Sequence, residues 1–363
     1  QPYVFGSFAL NGTNNAFVLK YNHLGNLLWG KSVLGNGTEN VNGITCDPIG
    51  NVIITGNFSS ENVTVGTIPL HNSEPGDATF DAFAGAFDAE GNSLWAQSGK
   101  SLGNDYGNGI CTDSIGNVYC AGSFAGYSIT FDSIKYAYNG ACFNTFYTKF
   151  DADGNPLWVK SLQYPENNAG VDISVGANGS VYLTGSFANA IEIGSIYLST
   201  LEQGDIYVAG LDTNGVSFGA IDGGGDYCYE IVYDLCTGPF ESCFVTGRYE
   251  GQVSVFGNFT LMNDSITGSD IYTAKLGNLT GTSLSEQNEP IFQLYPNPAS
   301  DKVFVQLSEP AAINIFSSDG KQLLSMMCND RIAEIDLNAF SSGLYLIQVV
   351  GKSSSSTRKF IKK

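Results

Sequence analysis

Gly109-Ile110-Cys111-Thr112-Asp113-Ser114-Ile115-Gly116-Asn117-Val118-Tyr119-Cys120-Ala121-Gly122-Ser123-Phe124 reads as two short strands joined by a tight polar turn. β-Branched and aromatic residues suit a pleated strand, and Gly116-Asn117 supplies the positive φ that a hairpin turn needs. The stretch is one copy of a repeat. A Gly-x-Phe/Tyr signature returns at Gly6-Ser7-Phe8, Gly56-Asn57-Phe58, Gly185-Ser186-Phe187 and Gly247-Arg248-Tyr249. A second signature runs through Asn15-Ala16-Phe17, Asp81-Ala82-Phe83, Asn144-Thr145-Phe146, Asp205-Ile206-Tyr207 and Asp270-Ile271-Tyr272. A third ends in an aromatic at Trp29, Trp95 and Trp158, with a weaker copy at Gly215-Val216-Ser217-Phe218. The period is roughly 60–66 residues, and self-similarity at a fixed period marks a repeat architecture.

Each repeat carries four strand signals, A to D, with A and B as quoted above. Strand C is typified by Asp81–Phe87 and strand D by Ser93–Gln97. A four-stranded antiparallel unit cannot bury both faces alone, so neighbours must stack; arranged radially, such units make a β-propeller. The pattern resembles the β-propeller repeats of secreted bacterial proteins, with the motif Asp-x-x-Gly-Asn-Val-Tyr-x-x-Gly-x-Phe, over residues 1–284. The expected fold is all-β, with about five four-stranded blades. Five B, five C and five D strands, the last D near Leu279–Leu284 weak, face only four A strands, so either the ring closes with five blades, one of them incomplete, or further blades lie upstream. Repeats two to five also carry an insertion between B and C, as in Val63–Leu70 and Ile191–Leu198, which predicts a small extra hairpin on one face.

Of 363 residues only 14% are charged, and glycine is abundant at 44, which favours short strands over long helices. No apolar run approaches the roughly 18 residues of a membrane span. The net charge is −19. From residue 285 onward eight basic and eight acidic side chains balance, so residues 1–284 hold 27 of the 35 acids against eight bases. Such a field repels nucleic acid and anionic lipid and favours cations or neutral ligands. Gln1-Pro2-Tyr3 opens directly in a strand-like run, which reads as a mature or trimmed form without a signal peptide.

Residues 291–363 contain seven short alternating runs, which predict a small seven-stranded, two-sheet, immunoglobulin-like sandwich after a polar linker at 285–290. Its landmarks are Tyr295-Pro296-Asn297-Pro298, Gly343-Leu344-Tyr345 and the basic end with Lys359, Phe360 and Lys362. In that order they resemble the type A C-terminal sorting domain of the Bacteroidetes type IX secretion system. The resemblance implies export through the outer membrane to the cell surface or medium. It also implies recognition by the outer-membrane translocon and by a surface sortase-like protease.

Candidate chemistry is sparse. Only His23 and His71 are present, and no nucleophile elbow, zinc-binding helix or phosphate loop appears. Five residues before the A-strand Ile or Val stand Glu39, Asp105, Glu166 and Asp226. Three readings stay open for them: capping of local turns, a ring binding a cation such as calcium, or carboxylate catalysis. Asp151-Ala152-Asp153-Gly154-Asn155 has the look of a calcium loop, but its counterparts lack the acids, so a hairpin turn is expected. Phe8, Phe58, Phe124, Phe187 and Tyr249 fall in register, as do the tryptophans, which points to core between repeats. An exported chain permits disulfides: Cys111 and Cys120 flank one hairpin, and Cys236 and Cys243 its equivalent, while free thiols are the other reading. Ser114, Ser133 and Ser265 sit in Asp-Ser-Ile triplets that match the O-glycosylation acceptor pattern of Bacteroidetes.

Together these readings describe an exported, acidic, non-enzymatic binding or adhesion module directed at a glycan or a surface protein. The alternatives are a carboxylate-based polysaccharide-processing enzyme and a structural component of a surface layer or filament.

Overall fold

The computed structural model describes the chain apart from residues 1–2, 6–7, 11–14, 75–78, 138–142, 163–168, 201–203, 225–228, 239–241, 251–252, 257–258, 264–267, 278, 280–291, 308–309, 318–320 and 352–354. Every regular element among the described residues is a β-strand, and all strand pairing is antiparallel apart from one isolated bridge. The chain divides into two compact bodies, Gln1–Thr282 and Ser283–Lys363.

In the first body the repeat takes the expected A-B-C-D order. The third repeat shows it plainly: Asp105–Thr112, Val118–Ala125, Phe143–Phe150 and Pro156–Ser161 form one sheet in that sequence. Its A–B turn closes because Asp113 Oδ1 accepts the amides of Ile115 and Asn117 while Gly116 takes φ +88°. The glycine of Gly-x-Phe is fixed by a close approach. A β-carbon at Gly56, Gly122, Gly185 or Gly247 would lie 1.9–2.0 Å from a carbonyl oxygen of its own A strand. The aromatic that follows packs inward, with Phe58, Phe124, Phe187 and Tyr249 all buried.

The four apolar clusters of this body each straddle two consecutive repeats. A repeat therefore finds its core only beside a neighbour, as a stack requires. The tryptophans add a polar lock between repeats. Trp29, Trp95 and Trp158 donate Nε1–H to the carbonyls of Ala89, Ala152 and Thr213, in the C–D turn of the next repeat, at 3.0, 3.2 and 3.3 Å.

Three features depart from the sequence reading. The insertions are hairpins, but three of them do not simply lie on a face: they extend the sheet of the preceding repeat. Val65, Phe131 and Phe256 pair with Val33, Gly99 and Gly223 of the previous D strand. The fourth, Ala190–Ser199, makes its own two-stranded sheet. In the first repeat Tyr3–Phe5 pairs with Phe8–Leu10 instead of lying along Ala16–Tyr21 as a B strand, since no A strand flanks it among the described residues. Phe218 is not the fourth repeat's tryptophan equivalent. Pairing past the bulge aligns Trp29, Trp95 and Trp158 with Gly219. That glycine is required, because a β-carbon there would meet the Leu279 carbonyl at 1.6 Å; buried Leu279 fills the indole's place from the other side. The rest of the weak last D strand, 280–284, lies outside the described residues.

The second body has the seven predicted strands, in sheets of three (Phe292–Tyr295, Lys302–Leu307, Ile332–Asp336) and four (Gln322–Cys328, Ala311–Ser317, Gly343–Val350, Ser355–Lys362). Val303, Val305 and Ile335 from one sheet share a single core with Ile313, Ile347 and Phe360 from the other. The predicted linker at 285–290 lies outside the described residues.

Candidate binding site

The A strands of repeats two to five, Glu39–Cys46, Asp105–Thr112, Ala169–Val175 and Tyr229–Thr237, stand side by side and wall a cleft of about 610 Å³. Side chains stitch each A strand to the next. Asn42 and Asn108 donate Nδ2–H to the carbonyls of Gly107 and Gly170, at 2.9 and 2.7 Å. Thr112 and Thr237 donate their hydroxyls to Cys46 and Val175, at 2.9 and 3.0 Å. The remaining lining is mixed: Thr45, Ser174, Asp172, Asp234 and the exposed Tyr233 supply polar groups beside apolar Ile44, Ile110, Val171, Ile173 and Leu235. Among the described residues no lysine, arginine or histidine lines it.

Asp172 and Asp234 are the chemically distinctive pair. The Leu235 amide donates to Asp172 Oδ2 at 2.8 Å and to Asp234 Oδ1 at 2.9 Å, while the Ile173 amide donates to Asp172 Oδ1. Burial raises the Asp172 carboxyl to about 7, helped by its hydrogen bond with Asp234. Two carboxylates in contact cannot both ionise freely.

The sequence-derived acids lie elsewhere. Glu39 and Asp105 are the first residues of their A strands and are buried, accepting hydroxyl hydrogen bonds from Ser60 and Ser101. Burial raises both carboxyls, and for Asp105 the charge of Asp81 adds to the rise. Glu166 and Asp226 fall outside the described residues. Pairing register corrects the set: Glu39 and Asp105 stand opposite Phe58 and Phe124, and the residue opposite Tyr249 is buried Glu230. In repeats four and five Ile173 and Leu235, not Val171 and Ile231, match Ile44 and Ile110, so counting back from the first β-branched residue misplaces the acid. Among the described residues no three His, Cys, Asp or Glu side chains are placed to share a metal ion. The Asp151 turn is a hairpin: its Oδ1 accepts the amides of Asp153 and Asn155, and its Oδ2 accepts Asn155 Nδ2.

The cysteine pairs do not bridge. Cys111 stands opposite Tyr119 and Cys120 opposite Ile110, which sends the two thiols to opposite faces; Cys236 and Cys243 repeat the arrangement. All four are free thiols. Ser114 and Ser133 are exposed on hairpin turns, and Ser265 lies outside the described residues. His23 is exposed in a turn, and exposed His71 contacts Asn62 Oδ1 through Nδ1.

In the second body the two ends of the landmark set meet. Asn297 Oδ1 accepts the Ile361 amide at 3.0 Å, and Ala299 exchanges backbone bonds with Ile361 and Lys363. Pro296 and Pro298, both preceded by cis peptide bonds, carry this crossing. Tyr345 stacks on buried Phe360 and donates its hydroxyl to the Ser341 carbonyl, while Tyr295 stacks on Phe304. Gly343 and Lys362 are a pair at the sheet end, and Leu344 and Lys359 pair with Ile361 and Leu346.

These two bodies define a class: a β-repeat cargo joined to a small terminal sandwich. Residues 293–363 match the family model described as secretion system C-terminal sorting domain. The chain carries the sorting domain of the type IX secretion system and is exported to the cell surface or extracellular space. A WD repeat-containing protein of Acanthamoeba polyphaga mimivirus is 24% identical over 212 residues, covering 50% of this chain and 15% of the viral protein. PorZ, an essential surface component of the type IX secretion system of Porphyromonas gingivalis, is similar at TM-score 0.30 and 12% identity, over 95% of this chain and 44% of that one. The chain thus spans less than half the length of either protein. No helix among the described residues is long and apolar enough to cross a membrane.

Proposed function

We propose that the exported repeats are blades of a β-propeller acting as a non-enzymatic binding module, with a surface glycan held in the cleft between the A strands. The cleft carries this reading. Carboxylate and side-chain carbonyl acceptors, hydroxyls and exposed Tyr233 and Ile44 face a space that no described basic residue lines, and polar groups set among apolar ones suit a neutral, hydroxyl-rich ligand. Clusters shared between successive repeats, and the sequence likeness to a WD repeat-containing protein, support the propeller. The second reading is a carboxylate enzyme, favoured by the Asp172–Asp234 pair and its raised carboxyl. Glycosidase acids stand about 5–9.5 Å apart to flank the scissile bond. Asp172 and Asp234 instead converge on one donor, the Leu235 amide.

Incubating the full chain with a broad glycan panel, with and without calcium, separates these readings when retention and product masses are recorded together. Retention without new masses supports the binding module, and new masses establish the enzyme. Silence on both readouts turns the assignment towards a protein partner or a surface layer. For the tail, we propose that the surface where Asn297–Ala299 meets Ile361–Lys363 is read by the translocon and the protease in the immunoglobulin-like frame. Deleting 291–363 is expected to hold the protein in the periplasm; undiminished surface display would contradict that role.

A further inference from the structure

The A strands meet differently along the row. Pairing places Gly43, Gly109, Asp172 and Asp234 at one register position, opposite Thr55, Ala121, Thr184 and Thr246. In repeats two and three the glycine permits close approach. A β-carbon at Gly43 would lie 2.7 Å from the Asn108 carbonyl oxygen, and one at Gly109 would lie 2.4 Å from Asp172 Oδ1. Between repeats four and five a carboxyl group takes over the contact, and both acids converge on the Leu235 amide.

We infer that Asp172, set against Asp234, forms a proton-dependent latch, which clasps the fifth repeat to the fourth while Asp172 holds its proton and loosens it when Asp172 ionises. The geometry carries this inference independently of what the cleft binds. The glycine-lined strand Asp105–Thr112 lies against Asp172, so its carboxyl cannot swing away on that side. Among the described residues no nearby cation relieves the repulsion. Strand Asp105–Thr112 contributes Cys111, whose thiol burial keeps neutral, with Asp113 beyond its end. Strand Glu39–Cys46 contributes the uncharged Asn42 and Thr45, and the fifth A strand contributes Tyr233. The opposing B strands offer Thr184 and Thr246; Arg248, two residues beyond Thr246, is engaged with Glu250. The fifth repeat has three paired strands among the described residues, Tyr229–Thr237, Cys243–Glu250 and Ser269–Leu276, one fewer than the third repeat. Its A strand is a wall of the cleft, so the latch makes the shape of the cleft depend on pH.

The sign follows from linkage. A carboxyl whose pKa is higher in the closed state keeps its proton there after the opened state has lost it, so closure weakens as pH rises between the two values. The test is hydrogen exchange of the full chain from pH 4 to 9, corrected for intrinsic rates. Segment 231–236 is compared with the second-repeat strand Glu39–Cys46. Protection of 231–236 is expected to fall by up to about tenfold per pH unit between about 4 and about 7, then level off. Strand Glu39–Cys46 should not follow it. Asp172→Asn keeps an acceptor for Leu235 without a titrating proton and should flatten the profile. Asp234→Asn removes the like charge and should move the plateau to lower pH. A wild-type slope that persists in Asp172→Asn overturns the latch, as does an equal fall in the second repeat. Should Asp172→Asn fail to fold, an unmoved plateau in Asp234→Asn overturns it.

Discussion

At the scale of single residues, the fold depends on positions where backbone meets backbone. Gly122 admits no side chain, because the Tyr106 carbonyl occupies the place of a β-carbon at 1.9 Å. Gly122→Ala should therefore destabilise the repeats by about 1–3 kcal/mol, the usual cost of overpacking, measured by urea denaturation. Gly219 gives a sharper test, because the repeat pattern asks for tryptophan there. Since Leu279 already holds that space, Gly219→Trp should lower stability although it restores the consensus. A stabilised variant would show that the fourth repeat's tryptophan slot is open. Trp95→Ala removes a buried indole and its bond to Ala152, and should cost about 3–5 kcal/mol.

At the scale of elements, the insertion hairpins matter most. A D strand with a bare outer edge offers unpaired amides to other chains, and covering it is protective. Hairpin Ser128–Ala137 pairs along Gly99 and Lys100 of the second repeat. Replacing it with a short glycine linker should lower stability and raise aggregation, read by light scattering; unchanged scattering would mean that the edge needs no cover. The hairpins themselves were legible from alternating apolar residues around glycine. Their partners were not, because pairing with a strand more than twenty residues upstream leaves no local signature. The A–B and C–D turns were fully legible, since Asp, Gly and Asn each do a local job there. The A-strand register of repeats four and five was missed for a definite reason. All four A strands carry the same bulge, but repeats four and five place Val171 and Ile231 ahead of the matching Ile173 and Leu235, and counting back from those earlier residues misplaces the acid. Counting from the Gly-x-Phe partner instead would have found Glu230, and would have shown Asp172 and Asp234 standing in glycine positions. The disulfide expectation failed on the same ground, because one step of register decides which face a thiol takes.

At the scale of the whole molecule, pH dependence follows from buried acids. Burial raises the carboxyls of Glu39, Asp81, Asp105, Asp172 and Asp222. Their folded forms hold protons that the unfolded chain has released, so stability should decline as pH rises from about 4.5 towards 7. Asp88 is lowered, chiefly by Asn92; at Asp151, burial opposes but Asn155 and neighbouring amides outweigh it. Their contribution is lost only as pH falls below the ordinary carboxylate range. Thermal unfolding should thus show greatest stability on the mildly acidic side of neutrality, and a maximum above pH 8 would contradict the burial of these groups. The central claim remains that the cleft between A strands is where an exported ligand-binding module does its work. The most direct measurement is hydrogen exchange of the full chain with and without the panel glycan it retains most strongly. The account predicts new protection confined to segments 42–45, 108–111, 171–174 and 233–235. Protection confined to the insertion hairpins, with those four segments unchanged, would contradict it.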